Sequence, residues 1–236
     1  MKKIGLVGGI SWTSTLDYYR YFNEGINERL GGLNFAECII YSVNFNDMAR
    51  HNAAYNWDGT YELMLNAAEN LKKAGADMIL LGANTAHIVA DRVAAAIDLP
   101  LIQVTDAVSD AIHQKGLTKV GLLGTIYTME LDFYRDKLRD NGIEAIIPET
   151  KEERTWMEDV LRYELGKGIL NPETKKGFLD MMNRLVKRGA EGIILGCTEI
   201  PLIIKQEDTS IPVFDTTLIH AMAAVDFALK GSEVSA

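Results

Sequence analysis

The chain repeats itself once, and that constrains its fold more than any other feature. Lys3-Ile4-Gly5-Leu6-Val7-Gly8 returns as Lys119-Val120-Gly121-Leu122-Leu123-Gly124, an offset of 116, and Leu16-Asp17-Tyr18-Tyr19-Arg20 returns as Leu131-Asp132-Phe133-Tyr134-Arg135, an offset of 115. The stretch from Leu71 to Gly82 aligns without gaps on Leu185 to Gly196, and Leu99-Pro100-Leu101-Ile102 on Ile211-Pro212-Val213-Phe214. One such match follows from the shared needs of strand–helix units. Four in the same order at nearly constant offset imply two domains of one fold.

Within each half, short apolar runs bounded by glycine alternate with longer amphipathic stretches, which predicts a parallel sheet with helices on both faces. The strands are expected at Ile4 to Val7, Cys38 to Val43, Met78 to Leu81, Leu101 to Val104, Val120 to Leu123, Ala145 to Ile147, Ile193 to Leu195 and Val213-Phe214. Helices are expected over 15–30, 61–74, 86–96, 131–140, 152–166, 172–188 and 218–229. The fold class is therefore α/β, with two related Rossmann-like domains about a pseudo-two-fold axis and a cleft between them. The first domain is expected over 1–103 plus 212–236, the second over 104–211.

Composition narrows the partners. A chain of 236 residues that is 47% apolar can bury two cores, and a net charge of −9 without a basic run offers no footprint for nucleic acid or anionic lipid. No apolar run approaches the roughly 20 residues of a membrane-spanning helix. Cys38 and Cys197 form no disulfide framework and no zinc-spaced cluster, which fits a reducing cytoplasm. Gly5-Leu6-Val7-Gly8-Gly9 lacks GxGxxG spacing and the acidic residue expected of a dinucleotide site. A small-molecule ligand and no nucleotide cofactor or metal are expected.

Ligands of parallel sheets sit beyond the carboxyl ends of the strands. The repeat makes Ala83-Asn84-Thr85-Ala86-His87 the counterpart of the loop from Cys197 to Pro201, so position 83 is opposed to position 197. A cysteine just past a buried strand at the mouth of a helix is expected to have a thiol pKa lowered from about 8.5 toward neutral. Cys38 starts a strand and reads as an apolar core residue.

Gly8-Gly9-Ile10-Ser11-Trp12-Thr13-Ser14-Thr15, Asn84-Thr85-Ala86-His87, Gly124-Thr125-Ile126-Tyr127-Thr128-Met129-Glu130, Gly196-Cys197-Thr198-Glu199-Ile200 and Asp215-Thr216 with His220 resemble the aspartate/glutamate racemase family, with most likeness to its broad-specificity amino-acid racemase branch. The resemblance covers essentially the whole chain. It implies a homodimer that racemises a free amino acid without pyridoxal phosphate, metal or nucleotide. Two cysteines from opposite domains would flank the α-carbon, one removing the α-proton and the other returning a proton to the opposite face. Cys197 is the retained thiol. Ala83 stands where most members have the first cysteine, and alanine neither accepts nor donates a proton.

Three readings of that departure stay open: Cys197 working with water or with the hydroxyl of Thr85 or Ser11, a one-cysteine catalyst like the related arylmalonate decarboxylases, and a binding homologue without turnover. Racemisation needs donors aimed at the substrate carboxylate. Backbone N–H groups of the 83–85 and 197–199 loops, the hydroxyls of Thr85, Thr128 and Thr198, and the side chain of Asn84 are candidates. Ile10, Ser11, Asn52 and Glu199 complete the expected substrate-binding set. Arg50 and Lys167 are candidates for a distal substrate carboxylate. For most of these residues, helix capping or solvated surface charge is the competing role. His87 is expected in a first helical turn at the site, His220 to orient a loop or satisfy a buried carbonyl, and His113 on an exposed helix face.

Overall fold

The computed structural model describes residues 1–230 and divides into two compact units, Met1–Val104 with Thr217 onward, and Thr105–Thr216. Each holds one four-stranded, wholly parallel sheet. In the first unit β1 (Ile4–Gly8), β2 (Cys38–Ser42), β3 (Met78–Leu81) and β4 (Leu101–Ile102) lie in the order β2-β1-β3-β4. In the second, β5 (Lys119–Gly124), β6 (Glu144–Ile146), β7 (Ile193–Gly196) and β8 (Val213–Asp215) lie in the order β6-β5-β7-β8. The two orders are the same pattern, so the sequence repeat is a repeat of topology.

Alternation along the strands builds two cores in the first unit, because successive side chains point to opposite faces. Ile4, Leu6, Met78 and Leu80 pack with Tyr18, Phe22 and Ile26 of α1 (Trp12–Leu30) and with Ala221, Ala224, Val225 and Ala228 of α10 (Thr216–Leu229). Val7, Ile79 and Leu81 face the other way, against Met48 of α2 (Phe45–Ala53), Met64, Ala67, Ala68 and Leu71 of α3 (Trp57–Lys73), and Val93 of α4 (Ala90–Ala96). Each large apolar side chain so buried contributes about 1.5–3 kcal/mol. Of the first-helix aromatics, Tyr18 and Phe22 belong to the core, while Trp12 and Tyr19 are exposed.

The second unit follows the same plan. Leu123, Ile193 and Leu195 pack with Met157, Val160 and Leu161 of α8 (Lys151–Tyr163) and with Phe178, Met181, Met182 and Leu185 of α9 (Pro172–Lys187). Thr150 and Glu153 form a capping box that fixes the start of α8. Buried Val108 and Ile112 come from α5 (Val104–Gln114), and buried Tyr134 and Leu138 from α7 (Asp132–Asp140). Between β5 and α7 lies the single-turn α6 (Ile126–Glu130). No described helix is long and apolar enough to cross a membrane.

All eight expected strands are present, within one or two residues at their ends. The helical reading needs correction. Residues 85–89 form a 3₁₀ turn ahead of α4 rather than one helix over 86–96, and α2, α5 and α6 join the expected set. The second unit extends through Thr216, where the sequence pointed to 211, because β8 pairs with β7 across Ile193–Val213, Ile194–Phe214 and Leu195–Asp215. Thr216 reinforces this attachment by donating its hydroxyl to the Leu195 carbonyl at 3.0 Å.

Candidate functional site

In each sheet the strand order reverses beside the first strand, so the switch points lie between β1 and β3 and between β5 and β7. Loops leave such a point in opposite directions, and ligands bind parallel sheets there. Gly82, just after β3, and Gly196, the last residue of β7, let the strand tops come close. A Cβ at Gly82 would lie 2.9 Å from the Val7 carbonyl oxygen, and one at Gly196 would lie 2.8 Å from that of Leu123. Positions 83 and 197 thus begin equivalent loops at equivalent points.

In the first unit this end gathers Ile10 and Ser11, which follow β1, and Ala83, Asn84 and Thr85, which follow β3. Gly9 precedes them at φ 85°, and a side chain there would collide with the Val43 carbonyl. Ser11 is the N-cap of α1: its hydroxyl accepts from the Ser14 N–H and pairs with the Thr13 hydroxyl at 2.6 Å. Its carbonyl accepts from the hydroxyls of Ser14 and Thr15, both at 2.9 Å. Ile10, Ala83 and Asn84 are buried, and Thr85 is half-buried.

His87 holds this loop. Its Nδ1–H donates to the Ala83 carbonyl at 3.0 Å, and its Nε2 accepts from the Val104 N–H at 3.1 Å, an arrangement only a neutral ring satisfies. The ring is buried and lies edge-on to His220, 5.4 Å between centroids. His220 is neutral for the same reason: Nε2–H donates to the Ile102 carbonyl at 2.7 Å, and Nδ1 accepts from the Tyr18 hydroxyl at 2.8 Å. Burial lowers His87 to about 4 and His220 to about 3, the latter aided by its neighbour His87. His220 therefore satisfies a buried carbonyl, one of its two expected roles, and His113 is exposed as expected.

In the second unit the corresponding end holds Cys197, Thr198 and Glu199 after β7, and Thr125 and Thr128 after β5. The Cys197 thiol is half-buried and donates to Glu199 Oε2 at 2.9 Å. The Thr198 hydroxyl donates to the same oxygen at 2.8 Å. Thr128 is fully buried and shares a 3.1 Å hydrogen bond with Thr125, whose hydroxyl caps α6. Glu158 of α8 accepts from the Ile126 N–H at 2.9 Å.

The expected lowering of the thiol pKa is overturned. Burial, then the charge of Glu199, hold Cys197 well above its ordinary value, with Glu158 adding in the same direction. No helix dipole opposes them, because the segment after Cys197 is only the three-residue 3₁₀ turn Ile200–Leu202. Burial also raises the Cys38 thiol, which packs beside the core under β1.

The other candidates lie elsewhere on these units. Asn52 is buried in α2, where its Oδ1 accepts from the Thr60 hydroxyl at 3.1 Å. Arg50 is exposed and 3.9 Å from Asp47, and exposed Lys167 lies 5.7 Å from the centre of the Tyr163 ring. Sequence reasoning missed the contact of Glu199 with the thiol, the nearby charge of Glu158 and the grip of His87 on position 83. Glu158 carries no sequence signal, since an acid on a polar helix face looks solvated until the fold is known. Among the described residues, no three His, Cys, Asp or Glu side chains gather as a metal ion would require.

Comparison with known proteins matches this architecture. A family model described as Asp/Glu/Hydantoin racemase matches residues 7–224. The broad specificity amino-acid racemase RacX of Bacillus subtilis is 23% identical over 94% of this chain and 96% of its own. A crystal structure from Yersinia pestis, assigned provisionally to the Asp/Glu racemases, is 45% identical with a TM-score of 0.91, covering 97% of this chain and all of that one. The structure of an aspartate racemase homologue from Pyrococcus horikoshii is 38% identical with a TM-score of 0.85, covering 97% and 99%. By sequence and by fold, the chain belongs to the Asp/Glu/hydantoin racemase family.

Proposed function

We propose that this protein racemises a free amino acid of the aspartate/glutamate type without a cofactor, and that Cys197 carries the α-proton. The observation supporting this most is the thiol at the carboxyl end of β7, already hydrogen-bonded to a carboxylate in a chain of the racemase family. The α-C–H of an amino acid is a very weak acid, so its removal requires a positioned base and donors on the substrate carboxylate. Backbone N–H groups of the 83–85 and 197–199 segments, with Asn84, Thr85, Thr128 and Thr198, are the proposed donors. Ile10, Ser11 and Asn52 are assigned to the substrate surroundings, and Arg50 and Lys167 to the distal carboxylate. A cytoplasmic homodimer completes the reading, on the strength of the family and of two free cysteines.

Ala83 sets the expected behaviour. The repeat pairs position 83 with position 197, and a methyl group there leaves one face of the carbanion to water or to a hydroxyl. Proton return on the Cys197 face then outruns return on the other. In heavy water, one enantiomer of the substrate is expected to exchange its α-hydrogen about 10-fold or more faster than it inverts, a difference set by the weaker acid on the second face. Proton NMR with chiral chromatography over the common L- and D-amino acids checks this. Exchange of no amino acid defeats the reading, and equal rates of exchange and inversion would show that two matched groups act despite Ala83.

A further inference from the structure

Glu199 does more at this site than bind or cap. Its Oε2 accepts from both the Cys197 thiol, at 2.9 Å, and the Thr198 hydroxyl, at 2.8 Å. The sulfur is half-buried against the core that Met157, Val160 and Leu161 build. A thiolate formed there beside an ionised carboxylate would place two negative charges in contact, which the buried setting disfavours strongly. Moving the proton along the existing hydrogen bond avoids this, because S–H···⁻O and S⁻···H–O each carry a single negative charge. The Thr198 hydroxyl, bonded to the same oxygen, holds that carboxylate against the sulfur.

We propose that Glu199 is the proton partner of Cys197, taking the sulfur's proton at Oε2 so that the thiolate can attack the substrate. This rests on the racemase reading above. In the first step the S–H bond breaks and an O–H bond forms at Oε2. The thiolate then takes the α-hydrogen as a proton: the Cα–H bond breaks, S–H forms, and the electron pair stays on the substrate as an enolate. Water protonates the enolate on the opposite face, leaving hydroxide in the solvent, and Glu199 gives up its proton to solvent, so that hydroxide and proton balance as water. The cycle ends with thiol and carboxylate as it began, and no redox partner takes part.

The test is Glu199→Gln, which keeps the shape and the hydrogen-bonding reach but holds no exchangeable acid proton. Two readouts are followed: α-deuterium exchange, and the pH profile of Cys197 alkylation by iodoacetamide, located by mass spectrometry. Apart from Glu199 itself, Glu158 on α8 is the charged group bearing on this thiol, and it is unchanged. Exchange is expected to fall about 100-fold, while alkylation near pH 8 rises about tenfold as the neighbouring charge is lost. A merely structural role would not move these two in opposite directions. Glu199→Asp, with the carboxylate drawn back by one methylene, is expected to lose exchange to an intermediate degree and serves if the glutamine variant fails to fold. Exchange by wild type together with a variant within threefold of it overturns the role of Glu199 and leaves racemisation standing. An unshifted alkylation profile also overturns it. A wild type that exchanges nothing overturns the racemase reading, and this inference with it.

Discussion

Ala83→Cys is expected to raise the rate of α-carbon inversion by about 10²-fold or more, bringing it level with α-deuterium exchange. The backbone at position 83 is held from both sides: its N–H donates to the Leu81 carbonyl at 2.9 Å, and its carbonyl accepts from His87 at 3.0 Å. A sulfur added there takes the place in the repeat that Cys197 has in the second unit. A thiol is a far better proton donor than water at neutral pH, since its ordinary pKa is about 8.5. The gain therefore belongs to inversion and not to exchange. Chiral chromatography and NMR on one reaction mixture measure both rates. Unchanged inversion in a variant that melts like wild type would remove position 83 from the proton path.

The second large effect is on stability. Folding lowers His87 from about 6.5 to about 4 and His220 from about 6.5 to about 3. The native state refuses protons that the unfolded chain accepts. The contribution is thus fully present above pH 6.5 and is lost progressively as pH falls below it, the loss being complete at about 4 for His87 and about 3 for His220. Each proton corresponds to about 1.4 kcal/mol per pH unit, so the slope approaches about 2.7 kcal/mol per unit for the pair. Between about pH 6.5 and 5 most carboxylates remain ionised, which isolates the histidines. Urea unfolding across that window is expected to show the midpoint dropping steadily. His220→Gln lowers stability at pH 7 by leaving the Tyr18 hydroxyl and the Ile102 carbonyl poorly paired, and it reduces the pH slope by about one proton. A wild-type midpoint that stays flat from pH 6.5 to 5 would contradict the neutral, buried pair. Because His87 also fixes the Ala83 carbonyl, acid loss of stability and distortion of the 83–85 loop share one cause.

The central strands of both sheets were readable because they are buried on both faces. Ile4 to Val7, Met78 to Leu81 and Ile193 to Leu195 are continuous apolar runs that no exposed element sustains. α2 was not readable: Phe45–Ala53 buries only Met48 and Asn52, too few positions to set a helical period. α5 does carry the period, with Val104, Val108 and Ile112 buried, but it starts two residues after β4 and its apolar start merges with that strand. The position of Cys197 followed from the repeat. The state of its thiol did not, because the direction of a pKa shift depends on which of burial, dipole and neighbouring charge prevails. An i,i+2 contact between a thiol and a carboxylate is set by side-chain torsions that a sequence leaves free. Arg50 and Lys167 show the same limit from the other side, since charge on a surface segment looks alike whether or not a substrate meets it.

The central claim is that the sulfur of Cys197 carries the substrate α-proton, and the most direct measurement is α-hydrogen washout in heavy water by Cys197→Ala. With a substrate that wild type exchanges, the variant is expected to lose about 10³-fold or more, down to the solvent background, while the same amino acid still raises its melting temperature. A folded Cys197→Ala protein that keeps exchanging that hydrogen within tenfold of wild type would contradict the account.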